Sequence, residues 1–241
     1  MAAHEPDTVV HLAAKVGRLF GEADVMKTVV DNAGMTANVA QACGEYGARM
    51  VYASTSEVYG DRGDRVCVEA GPCDLPHNLY GLSKRWGEEV CRLYAPDWLT
   101  IWRITMPYGP GLPSGYGRAA IVNMLANADA GEQIVVHTGA ERSWCYIADT
   151  VRAMALTVER RGIWNIGRDD EPVMMREVAE MACDLTDAPS SLIEEVPAPN
   201  MQTLVKRLST RKLRSLGWAP EVDLAEGMSR TLQALREQVT A

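Results

Sequence analysis

The chain has 241 residues, 47% of them hydrophobic and 23% charged, with a formal net charge of −8 at pH 7. That size holds one sizeable core, or one core and a small lobe. The acidic balance argues against nucleic acid or an anionic membrane as a partner. No apolar run reaches the length of a bilayer span, and no basic-then-apolar leader pattern is read at the N-terminus. The six cysteines form no Cys-x-x-Cys and no histidine stands near a pair of them, so no metal site is expected. Reduced thiols in a cytoplasmic protein are the default.

In chain order, Thr8–Ala13 reads as a buried strand, because Val9, Val10 and Leu12 are apolar with no turn residue between them. A helix is predicted over Asp31–Glu45, ending near Gly47, and a second strand over Arg49–Ala53. Gly60–Pro76 reads as a polar loop. Asn78 is read as the N-cap of a helix that runs to about Tyr94 and closes at Ala95-Pro96. On it Leu82, Trp86, Val90 and Leu93 form an apolar stripe, read as the packing face, with Tyr80 and Lys84 on a separate reactive face. A third strand is predicted over Leu99–Ile104. Beyond Met106 a loop rich in proline and glycine leads to a helix near Ala119–Ala130 and a strand near Gln133–His137. A helix over Tyr146–Val158, a strand over Gly162–Ile166 and a helix over Met175–Thr186 follow. Strands alternating with helices imply an α/β fold with a doubly wound parallel sheet.

Two segments carry chemistry. Ala53-Ser54-Thr55-Ser56-Glu57-Val58-Tyr59-Gly60 is a strand running out into a hydroxyl-rich end, and Tyr80-Gly81-Leu82-Ser83-Lys84 opens a helix. A tyrosine four residues before a lysine puts both side chains on one helical face. A phenol of ordinary pKa about 10 is useless as a base near neutrality, and bringing it to roughly 7 takes about 4 kcal/mol of phenolate stabilisation. A neighbouring ammonium supplies that. Thr55 adds a second hydroxyl for the same substrate oxygen, which completes a hydride-transfer site for a secondary alcohol.

With these segments, the chain resembles the extended short-chain dehydrogenase/reductases, the NAD-dependent nucleotide-sugar epimerase/dehydratase family. Further matching segments are Asp7-Thr8-Val9-Val10-His11-Leu12-Ala13-Ala14, Arg103 before Tyr108-Gly109-Pro110-Gly111, Arg142-Ser143-Trp144, Tyr146-Ile147-Ala148-Asp149, Trp164-Asn165-Ile166-Gly167 and Leu216-Gly217-Trp218. The resemblance implies a Rossmann-type domain over residues 1–106 and a small C-terminal α/β substrate-binding lobe over 107–241, with 146–167 returning to the sheet. It also implies NAD or NADP as cofactor and a nucleoside-diphosphate sugar as substrate, oxidised transiently at C4.

The family's roles fall on Thr55, Glu57, Tyr80 and Lys84 for catalysis, and on Ala13, Ala14, Ser54, Tyr80 and Lys84 for the cofactor. Thr55, Ser56, Arg118, Arg142 and Arg207 fall in substrate-binding positions. Glu57 is either the base that removes a ring proton beside the C4 ketone or a solvated loop glutamate. The Thr55-Ser56-Glu57 run is similar to that of GDP-mannose 4,6-dehydratases and UDP-glucuronate decarboxylases rather than to the Thr-Asp-Glu of dTDP-glucose 4,6-dehydratases. His11 through Gly17 instead resembles GDP-fucose synthases, and Met106 stands where the family usually carries asparagine.

The family's opening strand, glycine-rich turn and helix have no counterpart, and no Gly-x-Gly-x-x-Gly occurs. The expectation is an N-terminally truncated Rossmann sheet, through a late start or with a separate chain supplying the missing part. Weak binding of NAD or NADP is also expected, since Ala13, Ala14, Thr55, Tyr80 and Lys84 can touch only its nicotinamide half. A homodimer through the helices Asp31–Glu45 and Leu79–Tyr94 is also implied. The rival reading is a non-catalytic binding or regulatory relative.

Overall fold

The computed structural model describes residues 5–16, 23–95, 97–111, 119–200 and 202–239. Four parallel strands form the central sheet in the order β1 (Thr8–His11), β2 (Arg49–Thr55), β3 (Leu99–Ile104), β8 (Gly162–Ile166). The register runs straight across it, with His11 beside Tyr52, Tyr52 beside Ile101 and Ile101 beside Ile163. β2 is buried along almost its whole length, as expected of a parallel strand covered on both faces. Alternate residues serve opposite layers. Met50 and Tyr52, with Leu99 and Ile101, meet Ala40 and Cys43 of α1 (Val25–Tyr46) and Val90 and Cys91 of α2 (Leu79–Tyr94). Val51, Trp102, Trp164 and Ile166 meet Ala153 of α4 (Ile147–Thr157), Leu213 of α6 (Arg211–Arg214) and Trp218 on the other face. The sheet is therefore doubly wound, as the alternation of elements predicts.

A second core lies beside the sheet. α3 (Ala120–Ala130), α5 (Met175–Thr186) and α7 (Leu224–Val239) close over β5 (Ile134–His137), with Leu125, Ile134, Val178, Ala179 and Met228 fully or almost fully buried. β5 pairs in parallel with β10 (Ile193–Val196), and two short pairs complete this layer: β4 (Pro107–Tyr108) with β7 (Cys145–Tyr146), and β6 (Glu141–Ser143) with β9 (Pro172–Met174).

Two details differ from expectation. α1 starts at Val25, six residues before the predicted Asp31, where Asp24 caps it by accepting from the Lys27 amide at 3.0 Å. Its first turns, Val25-Met26-Lys27-Thr28-Val29-Val30, are rich in β-branched residues and carry little helical signal, so packing overrides local preference. The helix ends at Gly47, whose φ of 66° is the left-handed conformation that suits glycine.

The second difference is the face of α2. Leu82, Trp86 and Leu93 of the apolar stripe are exposed, at 44, 46 and 75%. Only Val90 of the four is buried, and the inward face carries Tyr80, Ser83, Lys84, Gly87, Glu88 and Cys91. The reactive face and the packing face are the same face.

Candidate active site

The carboxyl ends of β2 and β3 open into a cleft of about 620 Å³ beneath the second core, lined by Ser54, Thr55, Ser56, Glu57, Tyr80 and Lys84 on the sheet side and by Met124, Arg142, Trp144 and Lys206 on the other. Ligands of open parallel sheets bind at this edge. Thr55 ends β2 in extended conformation and caps the 3-10 turn Ser56–Tyr59. Its Oγ1 accepts from the Glu57 amide at 3.3 Å, a turn that brings Ser56 and Glu57 to the cleft beside Thr55. Asn78 caps α2 as predicted, its Oδ1 accepting from the Gly81 amide at 2.8 Å. Its Nδ2 donates to Glu57 Oε2 at 3.1 Å. Gly81 is required here, since a Cβ would lie 2.9 Å from the Glu57 Cβ.

Tyr80 and Lys84 are 7% and 3% exposed. The Lys84 ammonium sits 4.4 Å from the centre of the Tyr52 ring, a cation–π contact that holds a charge which burial would otherwise penalise. Its field reaches further: burial first, and then the Lys84 charge, hold the His11 imidazole below its ordinary value. Ser54 lines the cleft and donates from Oγ to Glu88 Oε1 at 2.6 Å. Glu88, one helical turn beyond Lys84, is fully buried and takes a two-pronged bond from Arg103 at 3.0 and 2.8 Å. Burial pushes the Glu88 carboxyl upward, but the bonds and charge of Arg103 outweigh it and hold the group below the usual carboxylate range. Arg103 also lies 4.6 Å from the Tyr59 ring centre, and the Tyr59 hydroxyl donates to Asn165 Oδ1 at 2.7 Å. A buried polar network thus fixes the floor under Tyr80 and Lys84.

The remaining sequence-predicted residues divide. Ala14 lines the cleft, while Ala13 is exposed outside it. Arg142 lines it too, its guanidinium donating to the carbonyls of Glu141 at 2.7 Å, Thr203 at 2.6 Å and Leu204. Burial pushes Arg142 down to about 10. Arg207 faces away from the cleft and pairs with Glu141 at 3.2 Å and Asp64 at 3.8 Å. Its neighbour Lys206, which the sequence reading did not single out, reaches into the cleft and pairs with Glu57 Oε1. Arg118 lies outside the described residues. Met106 lines the cleft with φ at 40°, a conformation that asparagine tolerates better than methionine. Among the described residues no group of three or more His, Cys, Asp or Glu could hold a metal ion.

The carboxyl edge of a doubly wound sheet thus gathers Thr55, Tyr80 and the buried Lys84 at one cleft, the place where open parallel sheets take their ligands. Residues 1–167 match the NAD dependent epimerase/dehydratase family, and the chain belongs to that family. It is 30% identical over 246 residues to UDP-glucuronic acid decarboxylase 6 of Arabidopsis thaliana, covering 93% of this chain and 68% of that relative. MoeE5 in complex with UDP-glucuronic acid and NAD is similar in structure, with a TM-score of 0.86, 26% identity, and coverage of 96% of this chain and 80% of that one. A UDP-glucose 4-epimerase from Thermotoga maritima shares the fold, with a TM-score of 0.90 at 23% identity over 99% of this chain and 80% of that one.

Proposed function

We propose that this chain acts on a nucleoside-diphosphate sugar by transient oxidation at the sugar C4. The observation that carries the reading is that Thr55, Glu57, Tyr80 and Lys84, from two separate sequence segments, line one cleft at the carboxyl edge of the sheet. Tyr80 and Lys84, beside the small Ala14 and Ala53 on the sheet side of this cleft, would hold the nicotinamide-ribose half of NAD. When bound, NAD would supply the hydride acceptor for C4 and, in its reduced form, the donor that restores it.

The chain's own residues do the rest. Tyr80 takes the proton of the 4-hydroxyl, Lys84 stabilises the phenolate through its charge, and Thr55 orients the same hydroxyl. Once C4 is a ketone, the C–H beside it is acidic, and Glu57 removes that proton. Arg142, whose guanidinium is fixed at the cleft wall by the Glu141, Thr203 and Leu204 carbonyls, meets the diphosphate. The exposed apolar faces of α1 and α2 pair with those of a second copy to make a homodimer. Tyr80→Phe tests the reading: conversion of UDP-glucose or UDP-glucuronic acid at the wild-type rate would remove its basis. Glu57→Gln separates the steps, since it should still oxidise C4 yet stop solvent deuterium entering the sugar ring. Deuterium entry at the normal rate would show that Glu57 is not the ring base.

A second reading is decarboxylation, favoured by the Thr55-Ser56-Glu57 run and by the 30% identity to a UDP-glucuronic acid decarboxylase. Oxidation at C4 makes the C6 carboxylate of a glucuronic acid β to a ketone. The C5–C6 bond then breaks with release of carbon dioxide, its electron pair passing into the enolate, which is protonated at C5. Carbon dioxide released from UDP-glucuronic acid separates this outcome from epimerisation.

A further inference from the structure

Glu57 is held on both carboxylate oxygens. Asn78 Nδ2 donates to Oε2 at 3.1 Å, and Asn78 is itself fixed, because its Oδ1 caps α2 at the Gly81 amide. The ammonium of Lys206 takes Oε1. Lys206 comes from a different part of the fold, the segment 203–209 between β10 and α6, and that segment is tied down along its length. The Glu141 amide donates to the Leu204 carbonyl at 2.9 Å, the Cys67 amide to the Arg207 carbonyl at 2.7 Å, and Asn165 Nδ2 to the Ser209 carbonyl at 3.0 Å. The strap fixes the backbone of Lys206, and its four-carbon stem delivers the charge across the cleft with 10% of the side chain exposed.

A carboxylate with both oxygens bonded is a weak base. Of its two partners here, Asn78 is locked by its capping role and Lys206 rides on a stem with rotatable bonds. Oε1 is therefore the oxygen available to a sugar ring. Burial pushes the Lys206 amine down to about 7, and the Glu57 carboxylate lies directly against it.

We propose that Lys206 is a positioning residue for Glu57, holding its carboxylate ionised and aimed across the cleft. This deepens, and rests on, the reading of Glu57 as ring base. Tyr80 and Lys84 from α2, His137 from β5 and Arg142 from β6 face the same cleft. All four are unchanged in the variants below, so a difference between variants reports Lys206.

The test is a carbon-13 NMR titration of the full chain, labelled at the glutamate carboxyl carbon, without substrate or cofactor. The Glu57 resonance is assigned by its loss in Glu57→Gln. In Lys206→Met its midpoint should lie about one pH unit or more above wild type, and Lys206→Arg should bring it back. The other glutamate resonances report whether the fold is intact, and Lys206→Gln serves where the methionine variant does not fold. Coincident midpoints in wild type and in the folded neutral variant would overturn the proposal. Failure of the ring-base reading shows separately, as normal deuterium entry in Glu57→Gln.

Discussion

Tyr80 and Lys84 were legible because their relationship is local: four residues apart on a helix, they share a face wherever the helix lies. Each is expected to be needed for turnover. Tyr80→Phe and Lys84→Met should lower the rate by about 10²–10⁴, measured with thermal unfolding alongside to show an intact fold. Lys206 was not legible, and the reason is geometric. In an extended strap neighbouring side chains point to opposite sides. Naming Arg207 selected the outward residue of the pair, and only the tertiary path of the strap shows which one faces in.

The Glu88–Arg103 pair also belongs at this scale. Removing one partner leaves the other charge buried, so Glu88→Gln should cost about 3–5 kcal/mol in urea unfolding. Because the folded Glu88 carboxyl is held below its usual range, it adds stability above the unfolded value near 4.3, and that contribution is lost as the pH falls through the lower folded value. Glu88→Gln should therefore flatten the acid side of the stability profile. A variant that keeps the wild-type profile would show that the pair is not what titrates.

Among the elements, α2 teaches most. Its ends were readable from Asn78 and Ala95, yet its stripe of large apolar residues pointed to the wrong packing face. Small residues decide the approach instead. A Cβ at Gly87 would lie 2.1 Å from the Tyr52 hydroxyl and 2.7 Å from its ring carbon. Gly87→Ala should then push the helix off the ring that carries Lys84, costing about 1–3 kcal/mol by thermal or urea unfolding. Unchanged stability would mean that the helix has slack at this contact. α7 was readable and was missed: Leu224, Met228 and Leu232 recur every four residues and are all buried. The early turns of α1 were not readable, since their β-branched residues favour a strand until packing is known.

For the whole molecule, the alternation of elements was enough to foresee the doubly wound sheet, while the cleft depends on a second core whose strap joins distant parts of the chain. The apolar residues left outside are concentrated on adjoining helices: Met26 and Val30 of α1 are 71 and 61% exposed, and Trp86 and Leu93 of α2 are 46 and 75% exposed. A homodimer burying them would need an interface of about 1,600 Å² in total. The combined change Trp86→Glu and Leu93→Glu should give a monomer by light scattering where the wild type gives a dimer. A monomeric wild type at micromolar concentration would contradict the pairing.

Deuterium at the sugar C4 decides whether this cleft oxidises that carbon. UDP-glucose and UDP-glucuronic acid, each labelled there, are incubated with the chain and NAD, quenched, and read by mass spectrometry. The wild type should turn over its substrate more slowly when it is labelled, with a fraction of the label caught at quench on reduced cofactor before it returns to C4, and Tyr80→Phe should show neither. Conversion of the sugar at an unchanged rate, with the label never leaving C4, would contradict the assignment.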